Sequence, residues 1–198
     1  MAVARVPSSA ALSRADRSVA TLTPVPETAG LVARARAGDE EAWVLLYRQV
    51  HPGMFAFARR RLFSHDDATD AVNETMARAV ASLGTFREHD GAFAGWLFGI
   101  LRNVVMNIQR ASSRTLPPEF EGSMPDPAER LVAGEDADEL RAAFAQLPPD
   151  DRELLELRVV AGLSAEEVAT AVGRTPGAVR MAQSRALARL RALLEVTR

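Results

Sequence analysis

The stretch SAEEVATAVGRTPGAVRMAQSRALARL, Ser164 to Leu190, decides how the chain is read. Ser164 and Glu167 stand three apart, the spacing of a capping box, in which a hydroxyl and a carboxylate each satisfy a backbone amide at a helix start. A short helix follows, with Val168, Ala169 and Val172 inward. Gly173 supplies the left-handed residue that a tight turn between crossed helices requires. Thr175 then caps a second helix, and Pro176 is preorganised for its first position. Val179, Ala182, Ala186, Leu187 and Leu190 form the inward side of that helix. Gly177, Arg180, Ser184, Arg185 and Arg191 fall on the remaining face. An α-helix fits the major groove of DNA, where its first residues reach base edges and flanking arginines neutralise phosphates. Gly177 and Ala178 are small enough for close approach. Cap, turn glycine, second cap and basic face together point to a helix-turn-helix rather than a solvated hairpin.

Working outward, charge is segregated. From Glu119 to Leu157 twelve acids face Arg130, Arg141 and Arg152, whereas from Arg158 to Arg198 seven arginines face Glu166, Glu167 and Glu195. All 24 basic residues are Arg, so the overall net charge of −2 hides a basic end that suits nucleic acid. Upstream of Ser112 the apolar residues recur at helical steps. Asp39 is expected to cap a helix through Val50, and Pro52 to open a second through Leu62. A third carries Ala71, Val72, Thr75, Met76, Ala79, Val80 and Leu83 as one stripe, and Gly84 stops it. After a polar loop, Thr85 to Gly91, a fourth buries Phe93, Trp96, Leu97, Ile100, Leu101, Val104 and Ile108. Pro117, Pro118, Pro125 and Pro127 then break the pattern among acids, the mark of a solvated linker. Beyond it, Leu140, Phe144 and Leu147 are expected inward, and Asp150 is expected to cap a helix through Val160 that Gly162 ends.

The fold class read from these patterns is all-α: two small helical domains joined by an acidic, Pro-containing linker, the second domain holding the helix-turn-helix. Residues 1–28 form a disordered extension, 29–112 the first domain, 113–135 the linker and 136–196 the second domain. The extension has no apolar core of signal-peptide length. No run approaches the ~20 apolar residues that cross a bilayer, so a cytoplasmic protein without membrane insertion is expected. Cysteine is absent, which removes disulfides and thiolate metal sites. His51, His65 and His89 stand in no metal-binding spacing, and no phosphate loop or nucleophile elbow occurs. No catalytic residue, metal or cofactor is expected.

The chain resembles the extracytoplasmic-function (ECF) group of the sigma-70 family. Asp67 to Met76 is similar to the acidic second conserved region of these factors. Phe93 to Asn107, with Trp96-Leu97, Ile100 and Arg102-Asn103, is similar to their promoter-melting helix. Leu154 to Leu190 resembles the fourth region, which reads the −35 element. The resemblance covers Gly30 to Leu194, with regions 2 and 4 only. It implies a sigma factor that directs core RNA polymerase to promoters and helps melt the −10 element.

By the same resemblance, Asp70, Asn73, Glu74 and Arg78 dock on the β′ clamp helices of the polymerase, with the β flap as a second partner surface. The −10 DNA set is Phe86, Arg87, His89, Arg102, Asn103, Asn107 and Arg110. The −35 set is Arg174, Thr175, Gly177, Ala178, Arg180, Ser184 and Arg185. Asn103 and Asn107 share one helical side, where amides can read an extruded base in return for the cost of unstacking it. Trp96 is assigned to the core by its spacing. Promoter DNA and an anti-sigma factor complete the partners implied. Two departures stand out: Asn73 replaces the family's usual Gln, and Met181-Ala182 replaces a common Ser-Arg pair. The alternative is a helix-turn-helix regulator that never recruits polymerase.

Overall fold

The computed structural model describes residues 26–62, 64–87, 92–112 and 135–196, whose regular elements are all helices, with no strand among them. Helix α1 (Pro26–Arg36) opens inside the stretch expected to be disordered. Its Leu31 and Val32 are buried against the helices that follow. Asp39 caps α2 (Glu40–Arg61), accepting from the Ala42 amide at 3.1 Å. Pro52 lies inside α2 instead of dividing it in two. The buried stripe Ala42, Leu46, Val50, Met54, Phe57 and Ala58 runs through the proline without interruption. Pro52 itself is exposed, so water can satisfy the carbonyl its ring leaves without a partner.

Ser64 caps α3 (His65–Ser82), and a 3₁₀ turn, Leu83–Thr85, closes it. Ala68, Ala71, Val72, Thr75, Met76 and Ala79 face inward, and the Thr75 hydroxyl donates to the Ala71 carbonyl at 2.7 Å. Val80, expected in that stripe, is 55% exposed. It sits one step past Ala79, over the edge of the packed face. Helix α4 (Phe93–Ser112) buries Phe93, Leu97, Phe98, Leu101, Val104 and Val105. Arg36 ties α1 to the turn after α3, donating to the Leu83 carbonyl at 3.1 Å and to that of Phe86.

The second half holds α5 (Glu135–Ala145), α6 (Pro149–Leu155), α7 (Ala165–Val172) and α8 (Pro176–Val196). Pro148 takes the cap position of α6 and Pro149 its first turn, so Asp150 lies within the helix. Helix α6 runs on into a π-helical turn, Glu156–Val160. Leu140 is exposed rather than inward, because α5 turns Ala143, Phe144 and Leu147 toward α8 instead. A small cluster of Leu147, Leu155 and Ala186, with Phe144, Leu187, Leu190 and Leu193 around it, holds α5, α6 and α8 together.

The larger core is continuous across both halves. Leu154, Leu157, Leu163, Val168, Ala169 and Val179 belong to the same apolar cluster as Leu46, Phe57 and Leu101, because α7 lies along α4. Helix α7 carries the capping box read from the sequence: the Glu167 amide donates to the Ser164 hydroxyl at 3.1 Å, and the Ser164 amide to the Glu167 carboxylate at 2.6 Å. Burial raises the Glu167 pKa above the usual carboxylate value, while the bonds to Ser164 pull it back down. A carboxyl that is more easily protonated when folded weakens the fold at neutral pH, and that cost fades as pH falls through its folded pKa. Glu167→Gln keeps an acceptor for the Ser164 amide without the charge. It is expected to match the wild-type melting temperature at pH 7 or exceed it, with a flatter dependence on pH. Glu167→Ala is expected to lose about 1 kcal/mol in urea unfolding.

Candidate nucleic-acid interface

Gly173 links α7 to α8 with φ +67°, as the turn requires. The Thr175 hydroxyl caps α8, accepting from the Ala178 amide at 3.2 Å. Val179, Ala182 and Ala186 of α8 are buried, which turns Arg174, Thr175, Gly177, Ala178, Arg180, Ser184 and Arg185 outward as one exposed strip. All seven residues of the −35 set therefore share an accessible surface. Of the departing pair Met181-Ala182, Ala182 is buried and Met181 is 65% exposed, so a single apolar side chain joins that strip. Arg174 pairs with Asp150 at 3.2 Å, and Arg180 pairs with Glu166. Arg189, outside the expected set, pairs with Asp151, which is buried. The Arg174 and Arg180 pairs are exposed on both sides and hold little energy, so a phosphate can replace their carboxylates at small cost.

The −10 set divides. Arg87, Asn103, Asn107 and Arg110 are exposed, with Arg110 donating to the Asn107 side chain at 3.4 Å. His89 lies outside the described residues. Phe86 is only 4% exposed, inside an aromatic cluster with Phe93 at 5.8 Å and Trp96 at 5.1 Å between ring centroids. The Arg36 guanidinium stands 5.7 Å over its ring. Phe86 thus anchors the loop from below and offers no face for stacking; the expectation of a surface residue is corrected by this packing. Trp96 packs in the same cluster, as its spacing implied.

Arg102 turns toward the second half. Its Nε and Nη2 donate to the two carboxylate oxygens of Glu153 at 2.7 and 3.0 Å. That fork-on-fork bond raises its pKa, against the opposing effect of burial. Arg61, at the end of α2, reaches the same place: 2.7 Å to Glu156 and 3.6 Å to Glu153. Glu156 is buried, and desolvation raises its pKa although Arg61 opposes the shift. Sequence reasoning missed Arg61, Glu153 and Glu156. Arg61 is the last of three consecutive arginines, Arg59 to Arg61, and the two acids belong to the negative run from Glu119 to Leu157.

Asp70, Asn73, Glu74 and Arg78 are exposed along the outer side of α3, with Glu74 and Arg78 bonded at 2.7 Å. His51 and His65 lie in a ladder of rings, Tyr47–His51–Phe55–His65, with centroids 4.9, 6.0 and 5.0 Å apart. Their surroundings are aromatic rather than ligating.

Two family models match this arrangement: Sigma-70 region 2 over residues 46–115, and Sigma-70, region 4 over residues 137–190. The ECF RNA polymerase sigma factor ShbA of Streptomyces griseus is 36% identical over 179 residues, covering 83% of this chain and 94% of that one. The chain belongs to the ECF sigma factor family. The ECF sigma factor SigD of Mycobacterium tuberculosis is 34% identical, covering 81% of each chain. Among solved structures, CnrH in complex with the cytosolic domain of CnrY matches at 27% identity, with TM-score 0.64, over 84% of this chain and 96% of that one. The sigma factor RpoE bound to the anti-sigma factor NepR, from Bartonella quintana, matches at 29% identity with TM-score 0.57, over 78% and 97%.

Within this sigma factor, Gly177 lies exposed in the first turn of α8. A Cβ added there meets nothing within 4 Å. Gly177→Ala is expected to stabilise the protein by about 0.5–1 kcal/mol through the helix entropy of α8. The same methyl group would crowd any duplex that meets the exposed start of α8. A rise in melting temperature with weaker −35 duplex binding is expected, and unchanged binding would place Gly177 away from the groove.

Proposed function

We propose that this ECF sigma factor brings core RNA polymerase to promoters by holding two separated DNA elements at once, and that it opens the −10 element by binding, without covalent chemistry. The single observation carrying this reading is that region 2 and region 4 follow one another in one chain, with the recognition strip of α8 exposed. Residues 29–112 act as the polymerase-binding and melting unit, 113–135 as the linker and 136–196 as the −35 reader, with 1–28 as an extension. Asp70, Asn73, Glu74 and Arg78 meet the β′ clamp helices, and region 4 meets the β flap. Arg87, His89, Asn103, Asn107 and Arg110 contact the −10 strand, joined by Arg102 once it leaves Glu153.

The two solved relatives were each captured with a second protein, CnrY or NepR. An anti-sigma factor is accordingly a proposed partner here. No described helix is long and apolar enough to cross a membrane. A site of action beside the chromosome, in the cytoplasm, fits the proposed role. Run-off transcription with purified core polymerase on genomic promoter fragments tests the whole reading. Specific transcripts support it; a chain that binds DNA but never joins polymerase would instead be a helix-turn-helix regulator.

Two substitutions test the halves separately. Arg180→Ala is expected to weaken promoter binding and to lower the salt slope by about one phosphate-equivalent; an unchanged slope places Arg180 off the DNA. Asn103→Ala is expected to leave closed complexes intact while permanganate reactivity near the start site falls. Full reactivity would remove Asn103 from strand opening.

A further inference from the structure

Region 4 is seated on region 2 by a contact the chain is shaped to make. On α4, a Cβ at Gly95 would lie 2.5 Å from the Glu167 carbonyl oxygen and 2.9 Å from the Glu167 Cα. On α2, a Cβ at Gly53 would lie 2.8 Å from the Ala161 carbonyl oxygen. Neither glycine has a positive φ, so what each provides is room. Both sit inside helices, where glycine costs about 0.5–1 kcal/mol relative to alanine.

Farther along the same two helices lie the charges. Arg61 from α2 and Arg102 from α4 converge on Glu153, with Glu156 beside it; the four side chains are 17%, 32%, 14% and 8% exposed. Arg61 also lies 4.7 Å over the ring of Phe57, and its backbone carbonyl accepts from Gln109 at 2.9 Å. The Arg61 side chain is thus held by region 2 itself and Arg102 is carried by α4 of region 2, whereas the carboxylates arrive from region 4. Two guanidinium groups fixed around one point form a site for a planar or tetrahedral oxyanion. Arg102 cannot keep its bidentate bond to Glu153 and also grip a nucleic-acid phosphate.

We propose that Arg61 and Arg102 form a binding site for a promoter-strand phosphate, and that Glu153 occupies this site in the closed chain as an internal competitor. The proposal rests on the promoter-binding reading above and adds Arg61 to it. Closure hides the site; when region 4 swings away, the arginines stay on region 2 and take up DNA. The apparent affinity of the closed chain is then lowered by the fraction of molecules that are open.

The test uses the full chain, fluorescein-labelled single-stranded DNA of mixed sequence, and two unrelated ways to open the contact. Glu153→Ala removes the competitor. Gly53→Ala with Gly95→Ala wedges the backbones apart, touches no charge, and favours α2 and α4 as helices. Because the chain has no cysteine, dyes on Val80→Cys and Met181→Cys, both exposed positions, report closure by energy transfer in a separate preparation. Both opening variants are expected to lose energy transfer and to bind the DNA roughly tenfold more tightly. Adding Arg61→Ala to the wedged variant is expected to reverse part of that gain and to lower the salt slope by about one.

Loss of energy transfer with no gain in DNA binding would overturn the competition. A wedged chain indifferent to Arg61→Ala would overturn the site. Circular dichroism melts of each variant confirm that it is folded, and Glu153→Ala carries the test should the wedge unfold. Run-off transcription reads recruitment separately: silent templates beside intact DNA results would remove the promoter role and leave the phosphate site standing.

Discussion

At the crossing of α4 and α7, Gly95 lets two helix backbones approach more closely than any other residue would permit. This approach joins the apolar faces of both halves into one core, since Val168 and Ala169 then pack with the α4 and α2 residues. Region 4 alone has a modest cluster around Leu147, Leu155 and Ala186. Its α7 depends on region 2 for cover. Small helical units bury a limited share of their surface, so sharing a core is an effective way to hold a short helix-turn-helix in shape. The same burial commits the molecule to an arrangement in which Arg102 is turned toward Glu153.

Electrostatics follows from that geometry. Arginines at the seam find carboxylates because α6 presents Glu153 and Glu156 to them. On the outer surface Asp150 and Glu166 partner Arg174 and Arg180 of the recognition half. The two groups of pairs differ in kind. Those at the seam are largely desolvated, so removing one partner leaves a charge that water cannot easily reach. Those outside are hydrated and readily exchanged. A protein of net charge −2 can in this way carry surfaces suited to a polyanion, because its acids are distributed among the arginines that would otherwise repel one another.

The helix-turn-helix was legible almost residue by residue, because its signals are local: a capping box, a positive-φ glycine and a hydroxyl cap each act within four residues. The fold class and the aromatic anchoring by Trp96 followed from periodicity for the same reason. Pro52 misled, since a proline that normally ends a helix is carried through where the buried stripe continues on both sides. Phe86 was read as a loop residue, and only its contacts with Phe93, Trp96 and Arg36 reveal a core position. The seam was invisible because it joins residues about fifty to a hundred positions apart, and nothing in the local pattern distinguishes Arg61 from Arg59 and Arg60. The two glycines that shape the seam have no turn to explain them; a glycine placed mid-helix was the available signal.

The π-helical turn at Glu156–Val160 carries one residue more than an α-helical path while leaving the chain beyond it in nearly the same rotational register. Losing one residue there would restore an ordinary α-helix, and the helix-turn-helix would still meet region 2 with the same side. A one-residue loss within α6 itself would instead turn everything beyond it by about 100°. The turn is thus a place where chain length can change by one while the two halves keep their fit.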